Sequence, residues 1–159
     1  KPAMFITAFF LIQYWRFNFD LMEKINPYLN YKKFFLFFGI GSAIFLFLHS
    51  IFLGIKFDND LYKLFRRIVL LLFIIFEVVA QSLLVINFYK VKKQIENLIN
   101  GKILNFKIAL VLILIFIAII SIPYLSAEGY VRFKHALEWN YFVGVISFYL
   151  LTFFFWKRT

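Results

Sequence analysis

Four stretches of the chain run for about a membrane's thickness with almost no charge. Residues 34–55 and 68–89 hold 22 each, broken only by His49 and Glu77, and 108–127 holds 20 with no charge at all. A fourth covers 136–156, with Glu138 near its start and His135 just before it. A helix needs about 20 apolar residues to cross about 30 Å of hydrocarbon. Buried helices of soluble proteins are rarely so long and so apolar on every face. Lipid offers no partner to an open strand, and the alternation of a barrel strand is absent. The expected fold is therefore an all-α integral membrane protein. It is a four-transmembrane-helix bundle with an N-terminal interfacial helix, one membrane domain over 1–159.

Composition closes the soluble alternatives. The chain is 64% hydrophobic, 23% aromatic and only 16% charged, and Phe alone supplies 25 of its 159 residues. Ordinary soluble domains are about 45–50% apolar and about 25% charged. A soluble fold of this length has too little interior to hide such a surface. The net charge of +10 does not point to nucleic acid. The cations sit between apolar blocks, where they orient a membrane protein and meet anionic headgroups. With no cysteine there is no disulfide, thiolate metal site or Cys nucleophile.

The Lys and Arg placement gives an orientation. With the start of the first span inside, that side holds Lys24, Lys32, Lys33, Lys90, Lys92, Lys93, Lys102, Lys107, Lys157 and Arg158. The other side holds Lys56, Lys63, Arg66, Arg67, Arg132 and Lys134. Ten against six, with Lys1 and Arg16 aside, favours both termini on the cytoplasmic side or its organellar equivalent.

Two shorter segments flank these spans. Residues 3–15 are apolar but too short to cross alone, so 1–30 reads as an interfacial helix or partial span with Tyr14 and Trp15 at headgroup level. After the second span, Val91, Ile95, Leu98 and Ile99 recur at helical spacing among Lys92, Lys93, Gln94 and Glu96. That predicts an amphipathic surface helix, ended at Asn100–Gly101, with Lys90, Lys92 and Lys93 over lipid headgroups.

Three sets of residues are candidates for chemistry. Glu77 lies nine residues into its span, about 14 Å deep, where an ionisable group faces the bundle interior and desolvation favours its neutral form. Gln81 is four residues on and shares its face. The pair suits a proton-carrying site or a hydrogen bond that joins helices. His49 and His135 are the only imidazoles; their unequal depths argue against a haem held between them, no metal shell can be completed from the rest, and no cofactor is expected, with haem kept only as the alternative. The segment 128–140 gathers Arg132, Lys134, His135, Glu138, Trp139 and Asn140. Its cations suit a lipid phosphate or another anion, and Trp139, Tyr130 and Tyr141 suit an aromatic belt. Gly39, Gly41, Ser42 and Ala43 form a small-residue patch that permits close helix packing.

Residues 80–94, AQSLLVINFYKVKKQ, and 107–142, ending in the run His135-Ala136-Leu137-Glu138-Trp139, resemble the tail of DRAM/Sfk-type membrane proteins. That family includes Golgi factors that help remodel GPI-anchor lipids. The resemblance implies a lipid-related accessory role and points to Glu138. The family has six spans, against four here, and its Asn and His within the last span have no counterpart at 147–151.

The expected function is a non-catalytic accessory subunit of a larger membrane assembly, with lipids and other membrane subunits as partners. The alternatives are a lipid-remodelling factor of the DRAM/Sfk kind, and a haem-bearing or proton-conducting protein using His49, His135 or Glu77.

Overall fold

A computed structural model describes residues 2–53, 55, 60–126 and 131–157, with side chains throughout except at 122–126, 131–135 and 138. Among the described residues the chain is helical. The elements are α1 (Pro2–Ile25), α2 (Lys32–Phe52), α3 (Asp60–Val91), a 3-10 turn (Lys92–Gln94), α4 (Gly101–Ser126) and α5 (Val131–Phe155). Three stretches are long and apolar enough to cross a membrane: Lys32–Phe52, Asp60–Gln94 and Gly101–Ser121. Trp139–Phe155 is a shorter apolar helix. The chain divides into two units, Lys1–Asn87 and Phe88–Thr159, with the division inside α3.

In the first unit α1 and α2 form an antiparallel hairpin. Phe5 meets Phe47 with ring centroids 4.9 Å apart, and Trp15 meets Phe35 at 6.1 Å. The buried residues of α1 are Ala8, Leu11, Trp15, Asn18 and Met22, alternately three and four apart. That is the seam of a coiled-coil pair. Opposite it α2 buries Phe35, Gly39, Ser42, Ala43, Leu46 and Ser50. Gly39 makes room for the indole: a Cβ there would sit 2.3 Å from the Trp15 ring. The small-residue patch is thus the place where a bulky partner comes closest. At the turn, the buried Lys32 ammonium pairs with Glu23 and donates to the Pro27 carbonyl.

Aromatic rings join α2 to α3 in the same unit. Phe76 packs edge-on to Phe38 and Phe45, both at 5.1 Å, and covers Gly41. Nearer the other end Phe52 meets Phe65 at 5.1 Å, and the Tyr62 hydroxyl donates to the Phe52 carbonyl at 2.7 Å.

In the second unit α4 and α5 run antiparallel. Leu104, Lys107, Val111, Leu114 and Ser121 form the buried stripe of α4, again at steps of three, four and seven. Leu137, Tyr141, Val145, Phe148 and Phe155 are buried on α5. The Tyr141 hydroxyl donates to the Leu114 carbonyl at 3.0 Å, and a Cβ on Gly144 would lie 2.5 Å from Leu114 Cδ2.

Three expectations change. First, the N-terminal helix does not stop near Trp15. It continues through Arg16, Asp20 and Glu23 to Ile25 and lies along α2, because its seam residues repeat past the polar ones. Secondly, 91–99 is no amphipathic helix. α3 ends at Val91, one 3-10 turn follows, and Ile99 makes an antiparallel bridge to Trp156. The Asn100 amide donates to the Phe155 carbonyl at 2.8 Å and the Lys157 amide to the Leu98 carbonyl at 2.9 Å. Val91, Ile95 and Ile99 are buried as their spacing suggests, but without a helix, and Ile99 is held by backbone pairing with the tail. Asn100–Gly101 is a start, since Asn100 Oδ1 accepts the Lys102 amide at 3.1 Å and its carbonyl accepts that of Leu104. Thirdly, Lys107 is a buried residue within α4 rather than a loop cation.

The Gly39–Trp15 fit yields a direct test. Gly39→Ala should destabilise the α1–α2 hairpin by about 1–3 kcal/mol, the usual cost of overpacking. Thermal unfolding in detergent reads this, and Trp15→Leu in the same chain should restore part of the loss.

Candidate functional site

The buried polar centre of the first unit is built by α2 and α3. Glu77, Gln81 and Ser42 are each 0% exposed. Gln81 Nε2 donates to Glu77 Oε1 at 3.0 Å, one helical turn along α3. Ser42 Oγ lies 2.5 Å from Glu77 Oε2 across the helix pair and 2.8 Å from the Gly39 carbonyl oxygen. The serine has one hydroxyl proton for two oxygens. The hydroxyl therefore stands between two acceptors, the Gly39 carbonyl of its own helix and a Glu77 carboxyl oxygen of α3, and links the two helices.

Chemically, this centre can join helices, or it can hold a single exchangeable proton. Further buried polarity lies on α3. Among the described residues, Gln81 Oε1 and both amide atoms of the fully buried Asn87 have no hydrogen-bond partner. Such orphans usually mark an interior water or a ligand.

A second polar point lies in the other unit and was missed from sequence. Lys107 is 0% exposed, and its ammonium donates to Thr152 Oγ1 at 2.7 Å. It also stands 4.1 Å from the Phe148 ring centroid and 5.1 Å from that of Phe155. The ring faces supply part of the stabilisation that water would give the cation. Lys107 falls three residues after Leu104 and four before Val111, in step with the buried seam, but α4 is so uniformly apolar that the sequence does not mark that seam.

The remaining candidates are placed as follows. His49 lies near the end of α2, half-buried, and its carbonyl accepts the Leu53 amide at 2.9 Å. Arg132, Lys134, His135 and Glu138 lie in the first two turns of α5, and their side chains fall outside those described. Trp139 is 70% exposed and packs against Phe142. The Asn140 amide turns back to its own helix, donating to the Ala136 carbonyl at 2.8 Å. Lys90 and Lys93 are exposed and Lys92 half-exposed, at the end of α3 and in the turn after it. Among the described residues no three His, Cys, Asp or Glu stand together as a metal site.

Compared with protein-family models, curated proteins and solved structures, the chain gives no significant match in any of the three. The resemblance of 80–94 and 107–142 to the DRAM/Sfk family gains no support from them.

The Ser42–Glu77 geometry separates two substitutions. Glu77→Gln keeps a neutral donor and an acceptor in place and should cost little. Glu77→Ala leaves Ser42 and Gln81 short of a partner and should cost about 1–3 kcal/mol. Denaturant or thermal unfolding of both variants in detergent measures the difference, and equal losses would contradict a helix-joining hydrogen-bond role for the Glu77 side chain.

Proposed function

We propose that the chain is a multi-pass membrane protein in which α2, α3, α4 and α5 cross the bilayer, and that it serves as a non-catalytic subunit of a larger membrane assembly. The observation that carries this reading is the sorting of side chains. Glu77, Gln81, Ser42 and Lys107 are turned inward, while Phe9, Phe37, Phe116 and Phe153 stand outward, each more than half exposed. Lipid or neighbouring membrane helices can cover such faces; water cannot do so cheaply. α1 lies along α2, so a layer crossed by α2 is shared by α1 as far as the two pair. This replaces the interfacial placement of the N-terminal helix.

The subunit reading is supported by how the inward polar groups are used. Ser42 and Glu77 join α2 to α3, Lys107 and Thr152 join α4 to α5, and Tyr141 ties α5 to an α4 carbonyl. A second reading, a proton-conducting protein centred on Glu77, is favoured by the unpartnered Gln81 Oε1 one turn from the carboxyl and by the unpartnered Asn87 amide further along α3.

Native mass spectrometry of gently solubilised native membranes tests the first reading. The expected result is a fixed stoichiometric assembly with other membrane subunits. A chain that travels alone would overturn the subunit reading. Proton flux in vesicles, abolished by Glu77→Gln, would then favour the second.

A further inference from the structure

The turn between α3 and α4 and the tail after α5 are stapled into one platform. Its backbone clip is the Ile99–Trp156 bridge with the two amide bonds Asn100 to Phe155 and Lys157 to Leu98. The clip brings together lysines from three places in the second unit. Lys92 reaches over the start of α4, its Nζ 3.8 Å from where a Cβ on Gly101 would be. Lys102 is exposed in the first turn of α4. Lys157 is exposed and donates from its ammonium to the Glu96 carbonyl at 2.9 Å, and Lys93 is exposed in the 3-10 turn between them. Glu96 is the one acid in the stretch 92–102. Tyr89 and Leu98 are exposed beside these cations, an apolar edge next to a charged one.

We propose that this platform binds the phosphates of anionic phospholipids. The inference rests on the membrane reading above. If α3 and α4 cross the bilayer, the turn between them lies at headgroup level. Four lysines carried on one hydrogen-bonded turn and tail there complement the negative surface of a leaflet. The exposed Tyr89 and Leu98 suit the boundary between headgroups and acyl chains. The phosphate ligands come from residues 92–93, 102 and 157 together, so this differs from a local surface helix. Lys157 has no part in a helix over 91–99 but is central to the platform.

The test uses the full chain in detergent micelles with added phosphatidylglycerol or phosphatidylcholine of matched acyl chains. Native mass spectrometry counts the retained lipid at low and at high salt. The expected result is preferential retention of phosphatidylglycerol that weakens as salt rises. Each lysine removed should cut the preference by up to roughly fivefold. Lys157→Gln alone should weaken it as much as Lys102→Gln, and the fourfold variant at 92, 93, 102 and 157 should abolish it. Lys63→Gln, at the start of α3, should leave it unchanged. These side chains are exposed or half-exposed, so folding should survive; an unchanged unfolding temperature confirms that for each variant.

Equal retention of the two lipids would overturn the proposal, as would an undiminished preference in the fourfold variant. A preference lost on Lys92→Gln and Lys93→Gln but indifferent to Lys157→Gln would overturn the platform in favour of a local basic segment. Alkaline carbonate extraction of cell membranes tells this failure from failure of the membrane reading. A chain that stays in the pellet but shows no lipid preference refutes the platform alone; one that is released refutes the membrane reading.

Discussion

Glu77 can be buried because Ser42 and Gln81 are already in position to meet it. Ser42 stands on α2 at the small-residue patch, beside the glycine that admits Trp15. Gln81 stands one turn along α3. Removing water from a carboxyl is costly unless each of its oxygens finds a partner. The two helices therefore pack in the register that supplies one. The aromatic contacts follow that register, with Phe76, next to Glu77, against Phe38 and Phe45 on either side of Ser42 along α2, and Phe52 against Phe65 further along the pair.

The second unit solves the same problem with a different group. Lys107 occupies a seam position between Leu104 and Val111, where an apolar side chain would be ordinary. Thr152 gives it one hydrogen bond, and two Phe rings give it π faces. The clip between the α3–α4 turn and the tail pairs backbone groups that would otherwise need water. In both units a few polar groups are paired within an apolar interior, while large aromatic and aliphatic side chains also stand outside. Such an outer face, with three helices long and apolar enough to cross a bilayer, fits a multi-pass membrane protein.

Much of this was legible in the sequence and some was not, for identifiable reasons. Charge-free runs of the right length located α2, α3, α4 and α5. The depth of Glu77 and the four-residue step to Gln81 announced a shared face. The seams of α4 and α5 were not legible, because both helices are apolar all round and no face stands out by hydropathy. Lys107, Ser121, Tyr141, Gly144 and Thr152 mark the inner side, but such residues are equally ordinary at span ends, kinks and aromatic belts. α1 was read too short because Arg16 and Asp20 suggested an end, whereas its seam of Ala8, Leu11, Trp15, Asn18 and Met22 passes between them. The 91–99 segment misled for a different reason. Side chains buried by a tail that folds back can repeat at helical spacing without a helix. Asn100–Gly101 is equally consistent with a helix end and a helix start, and only the Asn100 side-chain bond to the Lys102 amide decides.

The central claim is that the outward Phe faces lie in lipid and the basic turn and tail lie at one surface. The chain has no cysteine, so single cysteines can be introduced without background. Labelling sealed membrane vesicles with an impermeant maleimide is the most direct measurement. The account predicts that cysteines at Phe37, Phe116 and Phe153 stay unlabelled. Cysteines at Lys93 and Lys157 should label from one side of the membrane, and one at Lys63 from the other. Ready labelling at Phe116 in intact vesicles, or labelling of Lys63 and Lys93 from the same side, would contradict it.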